Sequence, residues 1–324
     1  MIDPHFPFSQ EVLPTIASLS EDALLARIRQ QLGDRTPPAP QGMGDDCASL
    51  SLSPNPGVLL LTTDSLTWGI HFDASASPQA AGAKLLKRNL SDIAAMAGTP
   101  AHALLNLQSG PDLRIDWLES FIEGLAASAR EWEVSIVGGD LSSLPHGIFT
   151  ASLTLVGFSE KPVTRSTASI GDSLYVTGHL GGSLHGHHLS FTPRVAEASW
   201  LAANAPLTAL MDLSDGLGTD LPRMLQLFQR ARLDPATIPL SPTTQEMTLP
   251  ERLQSALFDG EDYELLFTAP AADQSWLNPF QAQFPCLPVT CIGFIDTATE
   301  EESGRLFWQD GGLCEGEGFR HFKA

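Results

Sequence analysis

The chain has 324 residues and a formal charge of −20, from 38 acidic against 18 basic side chains. That balance excludes the basic footprint of a nucleic-acid binder, and 43% hydrophobic with 17% charged residues describes a soluble globular protein long enough for two domains. No run approaches the roughly 20 apolar residues of a membrane span.

The opening residues, Met1 to Pro14, lack the basic and apolar regions of a secretory signal. Cys47, Cys286, Cys291 and Cys314 are too scattered for a disulfide framework, and the Cys286–Cys291 spacing lacks the second ligand pair of a zinc site. The cytoplasm is the expected compartment.

Residues 1–19 read as an irregular, proline-containing extension. Ser20 can cap a helix from Glu21 to about Leu32, with Leu24, Leu25, Ile28 and Leu32 as its apolar stripe and Gly33 as its stop. After a loop at 34–41, Gly42-Met43-Gly44-Asp45-Asp46 sets two adjacent carboxylates at a glycine turn. Val58–Asp64 is expected to be a buried strand whose end delivers Thr62, Thr63 and Asp64. Acids at strand ends are where open α/β sheets place ligand groups. His71 follows among aromatic residues, a setting that by itself suits a structural histidine.

The stretch Lys84–Gly98 has helical apolar spacing and a Gly98/Pro100 stop, and Asn89 and Asp92 project from one face. Alone, it also fits a surface helix with an Arg88–Asp92 pair. A strand at Ala101–Leu107, an amphipathic helix at Leu113–Trp132 and a strand at Val134–Val137 come next. The last runs into Gly138-Gly139-Asp140, whose glycines would let the backbone approach a ligand. With a strand at Ile148–Phe158, this half alternates β and α and predicts a mixed α/β domain over residues 20–160.

The second domain is expected over 161–324, after a linker-like passage, Lys161–Gly171, that contains Arg165. Beyond the strand Ser173–Thr177, the glycine-rich turn Gly178–Ser183 could cradle phosphate. Neither a Walker loop nor the protein-kinase motifs occur. His185, His187 and His188 suit an exposed turn or helix start, with metal binding the alternative.

Ala209–Leu213 leads into Ser214-Asp215-Gly216 and an amphipathic helix from about Asp220 to Ala231, so Asp212 and Asp215 flank a helix start that offers N–H groups to an anion. A proline-rich loop (234–248) and a helix to about Leu257 precede Asp259, Glu261, Asp262 and Glu264, which crowd the mouth of the strand Leu265–Phe267. Acids disfavour strands, so this placement is unusual.

These segments appear in one order: GMGDDCA (42–48), TTD (62–64), KxxxxNLSDIAAM (84–96), GGD (138–140), TRS…GD (164–172), DLSDGL (212–217) and GEDYELLF (260–267). Together they resemble the thiamine-monophosphate kinase family of the aminoimidazole-ribonucleotide-synthetase-like superfamily, over about residues 20–322. The resemblance implies a homodimer whose N-terminal sheets pair into a barrel, a C-terminal α/β domain, and transfer of the ATP γ-phosphoryl to thiamine monophosphate.

It further implies magnesium ligands at Asp46, Thr62, Thr63, Asp64, Asp92, Asp140, Asp212 and Asp215; ATP contacts at Gly139, Asp140, Arg165 and Ser214; and thiamine-phosphate contacts at His71, Glu261 and Phe319. Departures are Asp259, where a Gly usually precedes GED, the Ala97-Gly98 order after Met96, and the unmatched first 19 or so residues. A selenide-type relative would carry an N-terminal Cys with a nearby Lys, and none stands before Gly42.

The residue types agree with that chemistry. An acidic protein repels polyphosphates unless divalent cations turn its carboxylates into a local positive surface. Magnesium prefers oxygen donors, and phosphoryl transfer needs alignment and charge neutralisation more than covalent help. No nucleophilic or general-base residue is expected. Lys84, Lys87, Arg88 and Arg194 are additional groups that could reach phosphates, with a solvated surface as the alternative for Lys87.

Overall fold

A computed structural model describes residues 3–9, 14–38, 41, 57–316 and 318. The chain divides into two compact units: residues up to Ile93 with Thr99–Glu160, and Ala94–Gly98 with Lys161–Ala324. Both are mixed α/β, and no helix among the described residues is long and apolar enough to cross a membrane.

The first unit runs α1 (Glu21–Leu32), β1 (Val58–Thr67), α2 (Pro78–Ala95), β2 (Thr99–Ser109), α3 (Ile115–Glu131), β3 (Ser135–Ser143) and β4 (Phe149–Ser159). Ser20 caps α1 by accepting the Ala23 N–H at 3.3 Å, and Gly33 ends it at φ +57°. The sheet order is β1-β4-β2-β3, with β4 antiparallel to β1 and β2, and β3 parallel to β2. One sheet face is buried through Leu66, Leu105, Leu153 and Leu155, and the apolar stripes of α2 (Leu85, Leu86, Leu90) and α3 (Phe121, Ile122, Leu125) are buried too. Trp117 stacks on Phe121 at 5.5 Å and meets Phe149 edge-on at 4.9 Å.

The extension is packed rather than loose at residues 3–9. Arg114, buried at the start of α3, donates to the backbone oxygens of Asp3 and Phe6 at 2.8 and 3.0 Å, and Trp117 Nε1 donates to His5 O at 2.9 Å.

Two strand expectations require correction. The Val58–Asp64 strand is not buried on both faces: β1 is a sheet edge, and Leu61 is 65% exposed while Leu66 is fully covered. A run of leucines reads as a doubly covered strand, but only one face of this sheet is buried, so exposure follows the period-2 alternation of the pleat. The third strand does not stop before the glycines but continues through Gly138, Gly139 and Asp140. A Cβ placed on Gly139 would lie 1.7 Å from the carbonyl oxygen of Leu105 on β2. The residue is glycine because the neighbouring strand leaves no room.

The second unit comprises β5 (Asp172–Thr177), α4 (His187–Ser190), α5 (Val195–Asn204), β6 (Ala209–Asp212), α6 (Leu217–Asp220), β7 (Gln229–Leu233), α7 (Leu249–Phe258), β8 (Leu265–Pro270), α8 (Leu277–Gln283), β9 (Val289–Thr297) and β10 (Leu306–Trp308). Its sheet order is β10-β7-β9-β5-β8-β6, antiparallel except for β10 on β7. The central strand β5 is buried on both faces, with Tyr175 stacked on Phe267 at 5.4 Å.

The predicted helix from Asp220 to Ala231 is replaced by one α-turn, a 3-10 turn at Leu221–Arg223 and the strand β7. Phe228, held at a left-handed φ of +63°, interrupts that span. From Gln229 onward buried and half-buried residues alternate, with Arg230 and Arg232 both turned to Asp296 at 2.8 and 2.7 Å.

Gly139→Ala is expected to destabilise the protein by about 1–3 kcal/mol through strand displacement. Urea denaturation reads this directly, and a midpoint equal to that of the unsubstituted protein would contradict the packing explanation.

Candidate active site

Strand alternation sorts the functional side chains of the first unit. On the face of β1 turned to α2, Thr62 Oγ1 donates to Asp92 Oδ2 at 2.5 Å, and Asp64 pairs with Arg88 at 3.3 Å. The Arg88 guanidinium also donates to Ser65 O at 2.7 Å, so it braces β1 rather than standing free for phosphate. Thr63 points to the open face, where its hydroxyl accepts from Thr154 at 3.2 Å. Asp140 aligns across the sheet with Asn106 and Ser152, is exposed on that open face, and accepts from Ser142 Oγ at 2.6 Å. Of the predicted ligands, Thr62, Asp64 and Asp92 therefore share a face, and Thr63 and Asp140 lie across the sheet from them.

His71 follows β1 in a tight turn. Its Nδ1 accepts the Thr67 N–H at 3.0 Å, which leaves Nε2 to carry the proton of a neutral ring. Lys84 is fully buried and donates to His71 O at 2.9 Å, so it supports this turn from beneath. Asp46 and Phe319 lie outside the described residues.

In the second unit the acidic motifs form one backbone construction. Leu213 N donates to Glu264 O at 2.9 Å, Tyr263 N to Leu213 O at 2.8 Å and Glu261 N to Ser214 O at 2.8 Å, which extends the β6–β8 ladder into the loops. Ser214 and Glu261 are thereby brought side by side. The approach is close: a Cβ on Gly260, whose φ is +75°, would lie 2.9 Å from Ser214 O. Glu261 and Tyr263 also hold positive φ, +58° and +51°, a strained conformation for residues with side chains.

Asp212 ends β6, and Asp215 is held by residues that sequence reasoning did not single out as site residues. Arg223 donates to Asp215 Oδ2 at 2.7 Å and to Asp220 Oδ1 at 2.6 Å, while Asp220 Oδ2 receives the Asp215 N–H at 2.8 Å. Burial pushes the Asp220 carboxyl up to about 6, with the adjacent Asp215 charge adding to the shift and the hydrogen bonds opposing it. Only the i, i+3 spacing of Asp220 and Arg223 in the sequence could have signalled the pair. Arg165 is exposed at the start of a 3-10 turn.

The acids at the mouth of β8 have separate duties. Glu264 is buried against Arg194, which donates to it at 2.8 and 2.5 Å, and it also receives Thr177 Oγ1 at 2.6 Å. Arg194 is thus committed within the fold rather than to phosphate. Asp262 is fully buried and accepts from Gly181 N at 3.0 Å and Ser183 Oγ at 2.5 Å. Gly182 N donates to Ser255 Oγ at 2.8 Å. The expected phosphate cradle at Gly178–Ser183 is therefore occupied by the protein's own acceptors. Asp259 accepts from the Ser255 hydroxyl on α7, and Glu261 pairs with His188 Nδ1 at 3.0 Å. Among the described residues, no three His, Cys, Asp or Glu side chains cluster as a metal site.

Burial pushes the Asp262 carboxyl up to about 7. A carboxyl whose pKa is higher folded than unfolded favours the folded state when protonated. Its stabilising contribution is complete below the unfolded value of 3.8 and is lost as pH rises through about 7. Asp262→Asn, which keeps the Oδ1 acceptor, is expected to flatten the fall in urea midpoint between about pH 4 and 7. An unaltered slope would remove Asp262 as its source.

Residues 44–159 match the family model described as AIR synthase related protein, N-terminal domain. The thiamine-monophosphate kinase of Rhodopirellula baltica is 37% identical over 261 residues, which is 76% of this chain and 81% of that protein. The crystal structure of thiamine-monophosphate kinase from Stenotrophomonas maltophilia K279a superposes with a TM-score of 0.74 at 31% identity, over 91% of this chain and 98% of the other. AaThiL complexed with AMPPCP and TMP gives a TM-score of 0.72 at 31% identity, over 96% of this chain and all of the other (100%). With the two-unit α/β fold, the ordered acidic motifs and this extent of likeness, the chain belongs to the thiamine-monophosphate kinase family.

Proposed function

We propose that the protein transfers the γ-phosphoryl group of ATP to thiamine monophosphate, giving thiamine diphosphate, the final step in making that cofactor. The observation that carries this reading is the 31% identity and whole-length structural likeness to AaThiL, which was complexed with AMPPCP and TMP. The acceptor phosphate is already an anion, so its oxygen attacks the γ-phosphorus in line and ADP leaves, with no general base required.

The donor chemistry fits magnesium. Asp64, Asp92, Asp212 and Asp215 offer hard oxygen ligands, and magnesium is ordinarily held by one or two carboxylates, waters and substrate phosphates rather than by an all-protein cage. Asp46, Thr62, Asp64, Asp92, Asp212 and Asp215 are the proposed ligands. Thr63 and Asp140, on the open face of their sheet, would serve an ion or phosphate that approaches from that side. When bound, magnesium would neutralise phosphate charge and align the two polyanions.

Arg88 and Arg223 hold Asp64 and Asp215 in place. Gly139, Asp140, Arg165 and Ser214 are assigned to ATP, and His71, Glu261 and Phe319 to the acceptor, the last two as a carboxylate and an aromatic face for a cationic ring.

A homodimer in a cytoplasmic setting completes the reading. Leu59, Leu61 and Leu104 are exposed on the open face of the first unit's sheet, an apolar band that a second copy would cover by pairing sheets into a barrel.

Incubation with ATP, Mg2+ and thiamine monophosphate should yield thiamine diphosphate on chromatography. Asp92→Asn and Asp215→Asn should each lower kcat on the order of 100-fold or more at saturating Mg2+, and near-normal turnover in either variant would refute the metal assignment. In sedimentation, Leu61→Lys should shift the protein from dimer toward monomer. An unaltered dimer would locate the interface elsewhere.

A further inference from the structure

The His185–His188 stretch has no part in the reading above, yet the fold secures it against the GEDYEL segment at several points. Asp262 takes up the Gly181 N–H and the Ser183 hydroxyl ahead of α4. Phe191, just after α4, stacks on Tyr263 with ring centroids 4.0 Å apart and planes 16° from parallel. Between these anchors His188 Nδ1 lies 3.0 Å from Glu261 Oε2, with side chains only 12% and 19% exposed. Glu261 is itself fixed at the backbone by its bond to Ser214 O and by a left-handed φ of +58°.

The structure assigns His188 as the positioning residue for Glu261, aiming the carboxylate at the cationic thiamine ring of the acceptor. This rests on the proposal that Glu261 contacts that ring. A glutamate side chain has three rotatable bonds and loses about 1.5–2 kcal/mol of conformational freedom when it is fixed. A donor anchored on a neighbouring element holds one carboxylate oxygen before substrate arrives, so binding need not do so. The geometry makes Nδ1 the donor, with the Glu261 carboxylate accepting. An asparagine at 188 carries an amide N–H close to the position of Nδ1 and can replace that donor, whereas alanine cannot.

The effect belongs to acceptor binding, not to the phosphoryl-transfer step. His188→Ala is expected to raise KM for thiamine monophosphate by about 10- to 150-fold, the size of a lost hydrogen bond to a charged group, and to leave kcat and KM for ATP within about twofold. His188→Asn should recover most of the loss. Glu261→Ala should raise the same KM, and adding His188→Ala to it should raise KM no further, because the residue being positioned is gone. A merely structural role for His188 would instead give an additive effect in that double variant, with no rescue by asparagine.

If Glu261→Ala raises KM while His188→Ala does not, or if the two effects add, the positioning role is overturned and the reading of Glu261 stands. If Glu261→Ala leaves KM for thiamine monophosphate unchanged, the assignment of Glu261 to the acceptor fails and the role of His188 falls with it. Circular dichroism and urea midpoints of each variant keep folding losses separate from these outcomes.

Discussion

Around the mouth of β8, the second unit depends on two buried carboxyl groups, Glu264 and Asp262, each anchored to protein donors. Glu264 lies at 2% exposure between the forked guanidinium of Arg194 and the Thr177 hydroxyl, and Asp262 is sealed over the Gly181 N–H and Ser183. Removing one member of the buried Arg194–Glu264 pair is expected to cost about 3–5 kcal/mol, since the remaining charge has no water to turn to. These anchors secure the backbone just after Glu261 and on both sides of Tyr263, where two residues hold left-handed φ. The strain keeps Glu261 on the side of Ser214 and His188 while its neighbours go inward.

A different constraint governs the first unit. Its sheet has one buried face and one open one, so neighbouring residues of a single motif serve different surroundings. Thr62 and Asp64 meet α2, and Thr63 meets a row of hydroxyls that also includes Ser65 with Ser152 and Thr67 with Thr150. The alternation divides a contiguous acidic and hydroxyl motif into two sets of donors, and a substrate reaching either set approaches a different surface of the sheet.

The large negative charge is managed locally as well as by any bound cation. Arg88 at Asp64 and Arg223 at Asp215 place fixed positive charge beside carboxylates proposed to hold ions. Each arginine lowers the repulsion among acids within its own unit without contributing a metal ligand, which only an oxygen, nitrogen or sulfur lone pair can provide.

What the sequence determined by itself was the inventory: capped helices such as α1 with Ser20 and Gly33, the apolar stripe of α3, the strand β4, and the ordered acidic motifs that identify the family. Those signals are local, and spacing along the chain carries them. Tertiary structure alone decided which strand face met a helix, that Leu105 O on the neighbouring strand leaves no room for a side chain at Gly139, and that the glycine turn at 178–183 spends its donors on Asp262 and Ser255. It also decided that residues 229–233 pair as a strand beside β9 and β10. Each of those outcomes depends on a partner distant along the chain, and only folding brings a residue to the neighbour that satisfies or excludes it.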